Sequence, residues 1–264
     1  MFERAVIIGV GMMGGSLGLA LRARGVAREV VGVDSDEATL ARGHEIGAFD
    51  WSTRELSKGV RDADLIVLAA PVRVIPSLLD ALVPVVSPDA LLTDIGSIKQ
   101  NIVTQGEKLF GTRFVGGHPM AGSPFGGIEA AQPDLFQEAA WAIVRSRMPD
   151  LSDDIYANRV ADLALALGAR PLLLDSVQHD RLAALVSHLP HLLSFAFADM
   201  VAGSADPGGA RQMAGGSYRD LMRVSSADRA VWQNIFKDNR VALLQALDAY
   251  EQQLQSLRQS LTSE

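Results

Sequence analysis

The sequence predicts an α/β chain, with an N-terminal, mostly parallel sheet covered by helices followed by an all-α segment. Three observations predict it. Short apolar runs alternate with helical patterns through the first part of the chain. A glycine-rich turn joins the first apolar run to the first helical pattern. Near Asp175 the strand signal all but stops, and helical periodicity takes over.

The opening run, residues 5–8, leads directly into Gly9-x-Gly11-x-x-Gly14; a helical stretch, a second apolar run (30–33) and an acid, Asp34, follow. That is the order of a Rossmann-type dinucleotide-binding βαβ unit. Gly9 permits the tight turn at the strand end. Gly11 has no Cβ, so a pyrophosphate can approach the backbone. Gly14 allows the helix to close on the strand. Met12 and Met13 open the helix, whose free N–H groups and positive dipole end face the phosphates. Asp34 stands twenty residues after Gly14. There a carboxylate can accept from both ribose hydroxyls of NAD and repel the extra phosphate of NADP.

The alternation continues. A helix fits residues 36–46, and 64–69 is a continuous apolar strand of the kind buried on both faces. A helix over 74–82 has Pro76 in its first turn. Residues 90–94 form the next strand and 99–109 the next helix; 114–117, 141–144 and 171–174 are later strands, with a helix over 153–167. Beyond residue 175 lie a long apolar helix (178–202), a Gly/Ser/Pro-rich interruption (201–216) and a helical pattern from 227 almost to the end. Ile235, Leu243, Leu244, Leu247 and Leu254 are its expected core positions, and residues 260–264 are expected to fray. The chain divides into residues 1–175, which bind dinucleotide, and residues 176–264, a helical substrate and dimerisation domain. So small a helical domain, with a first helix apolar nearly all round, gains most by packing against its own copy as a homodimer.

Composition narrows the function. The 264 residues carry a net charge of −7, which lacks the basic footprint of nucleic-acid binding. With no cysteine, disulfides, thiolate catalysis and zinc–thiolate sites are excluded. The chain opens on a strand rather than a leader, and no uninterrupted apolar run reaches the roughly 18 residues of a membrane span. A cytoplasmic protein without membrane contact is expected.

Three clusters could carry chemistry. In Gly116-Gly117-His118-Pro119-Met120-Ala121-Gly122-Ser123, a histidine follows a predicted strand, where the carboxyl ends of strands line the ligand crevice. Imidazole can take a hydroxyl proton near neutrality, which hydride abstraction from a carbinol carbon requires. In Asp94-Ile95-Gly96-Ser97-Ile98-Lys99, Ser97 could cap the next helix or hydrogen-bond His118 and fix its tautomer. In the helical domain His179, His188 and His191 fall close together; the last two share a helix face, and Pro190 between them should kink the helix. His188 and His191 alone make half a metal site with no evident third ligand, so no metal is expected. Farther on, Gly215-Gly216-Ser217-Tyr218-Arg219-Asp220 carries an arginine suited to gripping a carboxylate, or to a salt bridge with Asp220.

Taken together, GVGMMGGSLGLALR (9–22), DIGSIK (94–99), GGHPMAGS (116–123), HDRLAALVSHLPHLL (179–193) and GGSYRDLMRVSSAD (215–228) make the chain resemble the prephenate/arogenate dehydrogenases of tyrosine biosynthesis along nearly its whole length. The resemblance implies NAD-dependent oxidative decarboxylation of a cyclohexadienol, prephenate or arogenate. It casts His118 as the residue that takes the ring hydroxyl proton and Ser97 as the residue that orients it. Arg219 would be the carboxylate anchor, with His188, His191 and Ser123 near the substrate. Many relatives have glutamate two residues after the HPMAG glycine, where this chain has Pro124. Without a carboxylate there to meet an ammonium group, the expectation leans to prephenate. A hydroxyacid dehydrogenase with the same opening would lack HPMAG and SHLPH and would typically use a lysine in the helical domain, where only Lys237 is present. A non-catalytic NAD-binding regulator would not need His118, Ser97 and Arg219.

Overall fold

A computed structural model describes residues 1–123, 125–148 and 152–262. Pro124 lies outside the described residues. The chain forms two compact units, Met1–His179 and Asp180–Glu264.

The first unit is built on eight strands: β1 (Phe2–Ile8), β2 (Ala27–Val33), β3 (Trp51–Thr53), β4 (Leu65–Leu68), β5 (Leu91–Asp94), β6 (Phe114–Pro119), β7 (Ala140–Arg145) and β8 (Arg170–Asp175). They lie in the order β3-β2-β1-β4-β5-β6-β7-β8. Every pairing is parallel except β6 with β7, where Gly117 faces Ile143 and His118 faces Ala142. The connecting helices are α1 (Met12–Ala23), α2 (Glu37–Glu45), α3 (Leu56–Gly59), α4 (Ile75–Leu82), α5 (Gln100–Phe110) and α6 (Ile155–Ala166). The strand period of two explains the two apolar layers: Ala5 and Ile7 of β1 enter one core cluster, Val6 and Ile8 the other. A sheet buried on both faces reads in sequence as unbroken apolar runs, which is why its strands were legible.

Expectation and structure differ in places. The short β3 and α3 were not foreseen, being too brief to show a period. Ser97 does not cap α5; Lys99 holds that position without a side-chain cap. The segment after β6, to which the sequence assigned no element, folds back on α1. Ile128 is buried against Gly15, and Ser16 Oγ accepts from Gln132 N at 2.9 Å.

The second unit takes in the rest of a helical run that begins with α7 (Ser176–Ala183), passes through a π-helical turn (Ala184–His188) and continues as α8 (Leu189–Ala202). The expected irregularity at Pro190 takes this form: proline has no N–H to donate back, and the wide turn precedes it in the first turn of α8. Ser176–Ala202 is the one described helix with the length and hydropathy of a membrane span. It is not an uninterrupted apolar run, since Asp180, Arg181 and Asp199 lie within it. Asp180, His188 and Ser194 are buried on it, as on a helix packed within protein.

There follow α9 (Pro207–Gln212), inside the stretch expected as an interruption, then α10 (Gly216–Ser225), α11 (Arg229–Asp238) and α12 (Arg240–Thr262). The last continues through Thr262; of the residues 260–264 expected to fray, 263 and 264 lie outside the described residues. Arg229 on α11 forks onto Asp199 of α8 at 2.7 and 3.0 Å. Of the expected core positions Ile235 and Leu243 are buried and Leu247 is half-buried, but Leu244 and Leu254 are exposed in the single protomer.

Candidate active site

In the first unit the site grows from the carboxyl ends of parallel strands. At the end of β1, Gly9 has φ +93°, and a Cβ there would meet the backbone of Ala69 and Ala70 beyond β4. A side chain at Gly14 would collide with the Gly9 carbonyl, so only glycine lets α1 start this close to the turn. At Gly11 a Cβ would meet nothing within 4 Å. Gly11 is also the N-cap of α1, with no side-chain cap and no acid in the first turn. Met12 and Met13 are half-buried as the first two residues of the helix. The uncapped first turn leaves its N–H groups for an anion. Asp34 closes this corner: its Oδ2 accepts from Val10 N at 2.9 Å and its Oδ1 from Asp36 N at 3.0 Å. The side chain is therefore fixed beside the glycine turn. An open glycine face, a free helix start and a fixed carboxylate fit a dinucleotide, with the pyrophosphate at the helix and a ribose at Asp34.

Because β6 runs parallel to β5, its carboxyl end lies at the same edge of the sheet as Gly9. His118 is the fifth residue of β6 and is 8% exposed. Its backbone is set by a network that sequence reasoning missed. Asp94, at the end of β5, forms a fully buried ion pair with Lys99, and its carboxylate also accepts from Gly96 N at 2.8 Å and Gly117 N at 3.3 Å. One carboxylate thus ties the loop carrying Ser97 to the strand carrying His118. A Cβ at Gly117 would press on the Asp94 carbonyl, Thr93 Oγ1 and Trp141 Nε1, so the residue before His118 must be small. The legible signal was an acid and a lysine five residues apart around a Gly-Ser turn at a strand end.

The ring of His118 is held by another histidine. Its Nδ1 lies 2.8 Å from Nε2 of His179, which is 2% exposed; the rings are tilted by 60°. Ser97 was expected to orient His118; the residue found at Nδ1 of His118 is His179. Ser97 is half-buried on the loop. Ser123 is also half-buried and accepts at Oγ from Phe125 N at 3.1 Å.

In the second unit His188 is fully buried. Asn239 Nδ2 donates to the Asp180 carbonyl at 2.8 Å and lies 3.1 Å from His188 Nδ1, which accepts. His188, expected near the substrate, is thus fully buried with its Nδ1 against Asn239. His191 is more open. Its Nδ1 donates to the Ser187 carbonyl at 2.9 Å, and its ring stacks on Trp232 at 3.5 Å between centroids and 16° between planes. Burial holds its pKa below the ordinary histidine value, the hydrogen bond to Ser187 only partly opposing this. With Nδ1 donating to that carbonyl, the neutral form of His191 carries its lone pair on Nε2. Arg219 is exposed on α10 and donates to the Ala214 carbonyl at 3.0 Å; no ion pair to Asp220 forms among the described residues.

Comparison with known proteins agrees with this geometry. Residues 17–170 match the prephenate dehydrogenase nucleotide-binding domain, and residues 175–264 match the prephenate dehydrogenase dimerization domain. The chain is 32% identical to the prephenate dehydrogenase of Lactococcus lactis, over 98% of this chain and 72% of that one. It is 31% identical to the cyclohexadienyl dehydrogenase of Zymomonas mobilis, over 100% and 90%. The crystal structure of Aquifex aeolicus prephenate dehydrogenase, in complex with hydroxyphenyl propionate and NAD+, superposes with a TM-score of 0.90 at 27% identity, covering 99% of this chain and 91% of that one. This chain belongs to the prephenate dehydrogenase family, with its NAD-binding and dimerisation domains.

Proposed function

We propose that this chain oxidises and decarboxylates prephenate to 4-hydroxyphenylpyruvate in tyrosine biosynthesis, with His118 as the base that takes the ring hydroxyl proton. NAD, when bound, supplies the two-electron acceptor, and the uncapped start of α1 with Gly9, Gly11, Met12, Met13, Gly14 and Asp34 would hold it. As the ring C–H bond of the carbinol carbon breaks, charge develops on the substrate, and His118 offsets it by taking the hydroxyl proton. The electron pair of the ring–carboxylate bond then closes the aromatic ring as carbon dioxide leaves. The product oxygen is phenolic, with a pKa near 10 against about 6.5 for imidazole, so return of the proton from His118 is downhill. The proton cycle closes without a net exchange with solvent.

Arg219 supplies a bidentate donor for a substrate carboxylate. His191, neutral and presenting a lone pair at Nε2, suits a hydroxyl donor better than a second carboxylate. Ser97 and Ser123 complete the proposed contacts from the first unit. We take residues 1–175 as the dinucleotide-binding domain and 176–264 as the helical domain; the break between the two matched regions, 170 to 175, supports this. The dimerisation domain implies a homodimer, and the exposed Leu185, Val186, Met200, Val241 and Leu244 are the surface such a dimer would cover.

One observation carries the reading: a buried histidine at the carboxyl end of a parallel strand, in a chain that matches both family domains. A second reading, arogenate or both substrates, is supported by the cyclohexadienyl relative at nearly equal identity. Pro124, which offers no carboxylate to meet an ammonium group, favours prephenate. Initial rates of NADH formation with prephenate, arogenate and a simple hydroxyacid, each also with NADP, test it. The highest kcat/KM is expected for prephenate with NAD. A higher value for arogenate reassigns the substrate, and no turnover of either cyclohexadienol removes the assignment.

A further inference from the structure

Two buried imidazoles 2.8 Å apart at Nδ1 and Nε2 must share one proton along that line, because two lone pairs or two N–H groups facing each other repel. The 60° tilt and the 5.0 Å between centroids make this an edge-on hydrogen bond rather than a stack. Two arrangements exist. In one, His118 Nδ1–H donates to His179 Nε2, and the lone pair of His118 sits on Nε2. In the other, His179 Nε2–H donates, and His118 carries its proton on Nε2, where it cannot act as a base.

Only the first arrangement survives proton uptake. When His118 gains a proton at Nε2, its Nδ1–H remains and the bond to His179 becomes charge-assisted, hence stronger. In the second arrangement, charging His118 would set two N–H groups against each other. We propose that His179 is the positioning residue for His118: by accepting at Nε2 from His118 Nδ1–H, it fixes the tautomer that leaves Nε2 of His118 to take the substrate hydroxyl proton. A neutral acceptor aligns the ring without adding the charge that a carboxylate partner would bring, so the captured proton is readily given back to the phenolate oxygen. The inference rests on the reading of His118 as the base.

The test uses the full-length protein labelled with 15N-histidine, which gives only five imidazoles to assign. Long-range 1H–15N spectra report directly which ring nitrogen carries the proton. In the unsubstituted protein His118 is expected to be protonated at Nδ1 and bare at Nε2 near pH 8; the opposite tautomer overturns the proposal whatever the activity. His179→Leu removes the acceptor. It is expected to lower kcat about 10–100-fold, on the scale seen when the hydrogen-bond partner of a metal-bound histidine is lost, with KM within about twofold and the His118 signal shifted toward the other tautomer. His179→Gln can present Oε1 to the same N–H and is expected to recover most of that loss. An unchanged kcat and tautomer in His179→Leu, or equal impairment in both variants with the tautomer unmoved, overturns the proposal. Failure of the unsubstituted protein on both cyclohexadienols would instead sink the functional reading, and the spectra would still decide the role of His179.

Discussion

The two units hold their candidate site residues by different means. In Met1–His179, His118, Asp94, Lys99 and His179 are nearly or wholly buried, and their polar atoms are tied to backbone N–H groups, to a countercharge or to each other. In Asp180–Glu264, His188 is buried against Asn239, but Arg219 is exposed and, among the described residues, bonded to a carbonyl five residues away, and His191 is half-buried, bonded to the Ser187 carbonyl and stacked on a tryptophan. Strand ends are rigid because the ladder fixes the backbone on both sides, so a side chain there needs little more than a neighbouring carboxylate to be preorganised. Helix surfaces fix the backbone of their own segment alone, and the exposed leucines and valines of this unit show a surface awaiting a covering partner. On the proposed reading, that contrast would put turnover in the first unit and affinity and assembly in the second.

The largest test of that division is His118→Asn. Loss of general-base catalysis should lower kcat by about 10²–10⁴-fold while KM changes little. Near-normal turnover in steady-state assays would remove His118 from the chemistry. Next comes Lys99→Met, which leaves the carboxylate of Asp94 buried without its countercharge. Unfolding in urea should show a loss of about 3–5 kcal/mol, and adding Asp94→Asn should recover part of it. A loss below roughly 1 kcal/mol would mean that the network around His118 is not what holds the strand end.

How far the sequence could be read follows the same division. The glycine turn, Asp34 and the strand before His118 were legible because each signal lies within one βαβ unit, where order and spacing are local. The bond between His118 and His179 spans 61 residues, and Asn239 meets His188 across 51. Nothing in local spacing links those positions. Ser97 was read as the orienting group from its place at a strand end and from the family resemblance; neither signal points to the histidine at 179 that meets Nδ1 of His118. Leu244 and Leu254 were read as core from their helical period. The period correctly marks an apolar face, but it cannot say whether that face is covered by the same chain or by a copy.

Arg219→Ala sharpens the contrast from the other side. Losing a charge-assisted contact of about 1.5–3 kcal/mol should raise KM for the dicarboxylate substrate roughly 10–100-fold, with kcat falling much less. An unchanged KM would return Arg219 to a local role on α10.

The smallest effect concerns His191, and it tests whether the histidines of the second unit are charged. Burial lowers its pKa below the ordinary value of 6.5, so above that pH both the folded and the unfolded chain hold it neutral and it costs nothing. Below about pH 6.5 the unfolded chain binds the proton more readily, and stability is lost as pH falls through the lower, folded value. His191→Phe keeps a flat ring against Trp232 and removes the titration. Unfolding midpoints for both proteins between about pH 7.5 and 5.5 isolate the contribution, since every other group is common to the two. The unsubstituted protein should lose more stability on acidification than His191→Phe. Parallel curves would mean that the Trp232 stack leaves the imidazole as basic as in the unfolded chain, and His191 would then be free to act as a cation toward the substrate.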